Sequence, residues 1–124
     1  MVRRELPIPE PGPGELLVKV SHAGINVMDI HTRQGKYARS RTYAVSVPCT
    51  LGMEGAGRGV SGGPGVDAYA AGDRVAWCIV WGSYAEFAVV PAWRAVKVPA
   101  QLSLEMAAAS VFHGYTAHYL ANDV

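Results

Sequence analysis

A chain of 124 residues, 50% of them apolar and 17% charged, is long enough for one domain with a buried core and too short for two of ordinary size. Its formal net charge is +1, with Arg and Lys scattered singly among Asp and Glu, which excludes the basic stripe that binding to a phosphate backbone needs. The longest apolar runs, such as "AAASVF" and "EFAVV", fall far short of the roughly 20 residues of a membrane span, so neither nucleic acid nor a bilayer is an expected partner.

The opening "MVRRELPIPEP" has no apolar segment of the signal-peptide kind. Cys49 and Cys78 belong to no Cys-x-x-Cys pair. Two free thiols in a cytoplasmic protein are expected, with a disulfide between them as the alternative.

In chain order, "PIPEPGPGELLVKV" is at first dense in proline, which withholds ladder donors and keeps the backbone extended, and then turns to apolar alternation. A strand over Glu15 to Ala23 follows. "NVMDIHTRQG" has Asn26 as a cap, Met28 and His31 at i, i+3 spacing and Gly35 as a stop, the pattern of a short helix. Residues 36–51 show no sustained period and read as a long loop. From Gly52 onward the pattern is β: "EGAGRGV", "RVAWCIV", "SYAEFAVV" and "AVKV", separated by Gly, Pro and Asp. Short strands so spaced predict a barrel or sandwich. At the C-terminal end Ser103 caps "LEMAAASVF", with Glu105 in the first turn, and "GYTAHYLAND" is expected to form a second helix.

The stretch "GRGVSG" beginning at Gly57 matches the Gly-x-Gly-x-x-Gly turn that cradles a dinucleotide pyrophosphate. Such a turn must join a strand to a helix whose N-terminus receives the phosphates. Here Gly63-Pro64-Gly65 follows, and no helix can start there. These glycines instead suit a strand that another backbone or a ligand approaches closely.

The order of "PEPGPGELLVKVSHAGINVMDIHTRQGKY", "VPCTLGMEGAGRGV", "AGDRVAW", "GSYAEFAVVPAWRAVKVP" and "LSLEMAAASVFHGYTAHYL" resembles the N-terminal GroES-like catalytic domain of the medium-chain dehydrogenase/reductase superfamily. The likeness is to its zinc-independent quinone oxidoreductase branch, the zeta-crystallin-like one. It implies a mainly β fold with short helices, a partly open β-barrel, in which residues 1–110 form an incomplete substrate-side domain. Residues 111–124 would be a linking helix toward a Rossmann domain, absent from this sequence, that holds most of NADPH.

Zinc-dependent relatives carry a metal-binding Cys in a "G-x-C-H-x-D" turn and a His in a "G-H-E" turn. Here these turns read "GINVMD" and "GME", with Asn26 and Met53 at the ligand positions. An amide and a thioether make poor zinc ligands, and no bound zinc is expected. Glu54 and Asp29, acids of both branches, are then expected to hold structure or orient neighbours.

A quinone or an activated enone accepts hydride without a metal, because the charge that develops on oxygen is delocalised. The protein must supply orientation, a dry slot and a donor near that oxygen. By resemblance, Asn26 faces the nicotinamide, where its amide would position the cofactor ribose or the substrate carbonyl; a helix cap is the alternative. His31 falls where relatives carry a pocket Tyr, and would donate to the product oxygen, an exposed surface His being the other reading. Tyr37 would hydrogen-bond a quinone oxygen, or else pack on the barrel. Thr116 corresponds to a position near the nicotinamide carboxamide, an ordinary helix Thr being the alternative. Met53 and Trp81 would line the slot, core or surface packing being the alternative.

The resemblance thus implies the catalytic portion of an NADPH-dependent reductase acting on a quinone or enone, inactive as the 124-residue chain alone. Two alternatives stay open: a stand-alone binding or assembly module, and an enoyl reductase domain of the same superfamily. Homo-oligomers would form through the exposed interdomain face.

Overall fold

A computed structural model describes residues 1–123. Strand β1, Glu15–Ala23, takes the predicted bounds, burying Leu16, Leu17 and Val18 and exposing Lys19. It is followed by helix α1 (Val27–Arg33), strands β2 (Glu54–Gly62), β3 (Arg74–Cys78), β4 (Phe87–Pro91) and β5 (Ala95–Lys97), and helix α2 (Leu104–Asn122). As expected of residues 36–51, neither helix nor strand lies between α1 and β2.

The five strands form one antiparallel sheet in the order β4-β1-β2-β3-β5. Its order is linear, with β4 and β5 at the two edges, so the barrel-like sheet stays open. Register irregularities between Leu17 and Val18 and between Val20 and His22 bend β1 around the core.

Period-two alternation places neighbouring residues of β3 on opposite faces. Val75 and Trp77 pack with Leu16, Val18, Ala88, Val90 and Ala95 in one cluster. Ala76 turns the other way, into a second cluster with Ala56, Val98, Ala107 and Ala108. Burying an aromatic or branched side chain stabilises by roughly 1.5–3 kcal/mol, and Trp77 is the largest fully buried side chain. The second cluster is made largely of alanines on both partners, so α2 lies close against β2 and β3.

One expectation is corrected. "LEMAAASVF" and "GYTAHYLAND" do not form two helices: α2 runs unbroken through Gly114 for 19 residues. Glycine costs a helix about 1 kcal/mol relative to alanine, which weakens a helix without ending it, and no proline interrupts the ladder. The start of α2 is as predicted, the Ser103 hydroxyl accepting from the Met106 N–H at 3.0 Å with Glu105 in the first turn. From His113 to Asp123 every residue of this end is exposed.

The glycine-rich stretch lies in β2. A Cβ at Gly57 would collide with the Lys19 carbonyl of β1, so the glycine serves the close approach of two strands. The next element is a strand, β3, which leaves this stretch no helix N-terminus to offer a phosphate.

Cys49 and Cys78 are both free and partly buried. Burial, and secondarily the neighbouring Glu54 carboxylate, push the Cys78 thiol above its ordinary range, with Arg94 acting in the opposite direction. Among the described residues no helix is long and apolar enough to cross a membrane.

Candidate active site

Helix α1 positions two of the candidate residues. Asn26 precedes it in extended backbone conformation and is buried. The Asp29 carboxylate returns to accept the Asn26 backbone N–H at 2.9 Å, while the Asp29 N–H donates to the Asn26 carbonyl at 3.0 Å. Asp29 Oδ2 also accepts from the Tyr84 hydroxyl at 2.9 Å. Burial first, and then the Asp29 carboxylate, push the Tyr84 phenol up to about 12.

The Asn26 side-chain amide donates to Glu54 Oε2 at 3.0 Å. Glu54 is 0% exposed, and its Oε1 accepts the backbone N–H of Phe112 at 2.6 Å. Asn26 is thus both the residue at the helix start and one whose amide is engaged by a carboxylate of β2.

His31, in the last turn of α1, faces the loop that follows. Its Nδ1 lies 3.3 Å from the Tyr37 hydroxyl, with the two rings edge to face at 6.0 Å between centroids. The Tyr37 ring lies 6.4 Å from that of Trp81 and 6.1 Å from that of Tyr43. His31, Tyr37 and Trp81, separated in sequence by the loop and two strands, therefore meet in one aromatic cluster. His31 is half-buried, which sets aside the reading of it as a free surface histidine.

Thr116 stands apart on the exposed end of α2, where its hydroxyl donates to the Phe112 carbonyl at 2.8 Å. Met53 is 0% exposed beside Glu54, in keeping with the packing alternative, and its carbonyl accepts the Val80 N–H at 3.3 Å. Trp81 is only partly buried.

The sequence reading did not single out Tyr43 or Tyr84. Tyr43 had one visible signal, an aromatic close to Tyr37 in a loop without period. Tyr84 meets Asp29 across 55 positions, and nothing local announces such a contact.

His22 and His113 come together around a depression of about 400 Å³ between the end of β1 and α2, which Glu54 and Glu105 also line. Nevertheless, among the described residues no three of His, Cys, Asp and Glu are arranged to hold a metal ion.

Residues 12–100 match the alcohol dehydrogenase GroES-like domain family. The human synaptic vesicle membrane protein VAT-1 homolog is 36% identical over 93% of this chain and 28% of its own length. A probable quinone oxidoreductase of Schizosaccharomyces pombe is 33% identical over 94% of this chain and 34% of its own. The chain spans about a third of the length of the curated relatives it matches. Among solved structures, Escherichia coli quinone oxidoreductase complexed with NADPH superposes with a TM-score of 0.87 at 35% identity, covering 96% of this chain and 35% of that one.

Proposed function

The chain belongs to the alcohol dehydrogenase GroES-like domain family, and on that premise we propose that it is the substrate-side part of an NADPH-dependent reductase that delivers hydride to a quinone or an activated enone without a metal. The observation that carries the reading is the His31–Tyr37 pair. Two proton-bearing groups lie 3.3 Å apart and the Tyr37 ring lies 6.4 Å from that of Trp81, an arrangement that suits a planar acceptor with a developing oxyanion.

Whether the residues fit the cofactor depends on which end of it is considered. Asn26 gives its amide N–H to Glu54, which leaves its carbonyl oxygen and a second N–H for a polar ligand. Thr116 presents an exposed hydroxyl. These suit the nicotinamide and its ribose. The phosphate end has no counterpart, because the one glycine-rich match lies within β2. NADPH would supply the hydride, bound chiefly by protein beyond these residues.

In this proposal Asn26 orients the ribose or the acceptor carbonyl, and Thr116 the carboxamide. Trp81 walls the slot and keeps water from the face it covers. Tyr37 donates to the acceptor oxygen as charge develops, and His31 Nδ1 restores the proton to the phenol. The occupants of the two metal positions, Asn26 and Met53, support chemistry without zinc. Two free thiols support a cytoplasmic setting.

The test is NADPH consumption by the polypeptide at its natural length, with benzoquinone and an α,β-unsaturated ketone as acceptors. Turnover with either supports the proposal, and preference for an acyl-chain enoyl thioester would move it to the enoyl reductases. The 124-residue chain is expected to bind NADPH more weakly than the micromolar range in a fluorescence titration.

A second reading, a binding or assembly module, is favoured by one observation. Tyr115, Tyr119 and Leu120 on α2 are each more than half exposed, a face on which copies of the chain could associate. A native polypeptide of 124 residues without reductase activity would select it.

A further inference from the structure

We propose that Glu54 is a positioning residue that holds Asn26 and Thr116 in register with each other. The two belong to different elements and are far apart in sequence. Both nevertheless lead to this one carboxylate: the Asn26 amide donates to Oε2 at 3.0 Å and the Phe112 N–H to Oε1 at 2.6 Å. The carbonyl of the same Phe112 accepts the Thr116 hydroxyl at 2.8 Å.

Three features make this more than a local contact. First, an N–H inside a helix ordinarily faces the carbonyl four residues back, yet a carboxylate from the sheet receives that of Phe112. Second, both hydrogen bonds are accepted by a carboxylate that is 0% exposed, where such bonds are stronger than neutral ones. Third, no Lys or Arg pairs with Glu54 among the described residues, in which Lys97–Asp73 is the ion pair. The neutral donors are therefore its principal partners, and moving either α1 or α2 leaves a buried carboxylate under-satisfied. Glu54 penalises any displacement of Asn26 relative to α2.

This inference rests on the proposed reductase reading only for what the pair would face; the coupling itself belongs to the chain. It is tested by nuclear magnetic resonance on the 124-residue protein. Glu54→Gln keeps the shape but offers one acceptor oxygen where two are used. The Asn26 side-chain amide or the Phe112 amide should then exchange with solvent roughly tenfold faster or more, the equivalent of one charge-assisted hydrogen bond. The Thr116 methyl should shift with it, while the His31 and Tyr37 ring signals stay in place.

Asn26→Ala, which removes an amide bonded to Glu54 rather than to α2, is the second variant and serves even if the first fails to fold. It should shift both the Phe112 amide and the Thr116 methyl, a response that separate structural roles for the two residues would not produce. Unmoved α2 signals in Asn26→Ala overturn the proposal. NADPH added to the unmutated protein separates the two readings: shifts at Asn26 and Thr116 together support both, and shifts at one without the other overturn the register. If Asn26→Ala moves α2 yet millimolar NADPH moves neither residue, the coupling is upheld and the cofactor reading of the pair falls.

Discussion

Gly24 leaves open the space that the Glu54 carboxylate fills. A Cβ at position 24 would collide with Glu54 Oε2 and come within 2.9 Å of the Ala108 carbonyl. Because the carboxylate is buried and its two oxygens hold hydrogen bonds, Gly24→Ala should destabilise by about 1–3 kcal/mol, the usual cost of overpacking. Urea unfolding measures it. An unchanged midpoint would mean that Glu54 has a second resting place, and with it that Asn26 can let go.

Tyr84 and Asp29 give the chain an alkaline signature. The phenol is raised from its ordinary 10.0 to about 12 in the folded protein, so the folded state holds its proton more tightly than the unfolded state does. The resulting stability is fully present below pH 10, declines above it and is gone once the pH passes about 12. Tyr84→Phe should therefore flatten this part of the stability curve. In a spectrophotometric titration the variant should also lose the last tyrosine to ionise, and a variant titrating like the parent would show that another phenol holds the raised value.

What the sequence made legible was local. Glu15–Ala23 is found by its alternation, Asn26 and Ser103 by cap chemistry, and the turn after β2 by Gly63-Pro64; each depends on neighbours within a few positions. The glycines around Gly57 were read as a strand inviting close approach, and the Lys19 carbonyl is what approaches. Contacts between distant segments were beyond such reasoning. No periodicity joins Tyr84 to Asp29 or Phe112 to Glu54, and a partly polar stretch with Met53 gives no sign that its thioether points inward. The family resemblance grouped His31, Tyr37 and Trp81 before any distance did.

Gly114 misled for a physical reason: a glycine's propensity is a weak preference, and the helix around it overrides it. A Cβ there would meet nothing within 4 Å, and the residue is exposed in the middle of α2. Gly114→Ala should therefore raise stability, by up to about 1 kcal/mol, and show as a higher thermal midpoint with slightly more helical circular dichroism. A fall would indicate that α2 bends at this position in solution.

Tyr37 is the residue on which the proposed chemistry can be separated from packing. Tyr37→Phe deletes the hydroxyl that meets His31 Nδ1 and keeps the ring beside Trp81 and Tyr43. The pair is only partly buried, so the lost hydrogen bond should cost no more than about 1 kcal/mol of stability. If the phenol donates to the developing oxyanion, kcat for quinone in the natural-length protein should fall roughly 100-fold, the low end for a positioned acid, with KM little changed. His31→Phe should reproduce much of that loss, and the double variant should be no slower than the worse single one, since residues acting as one relay do not contribute additively. Equal turnover in Tyr37→Phe and the parent would take the phenol out of the proton relay and leave His31 and Asn26 as the candidate donors near the acceptor.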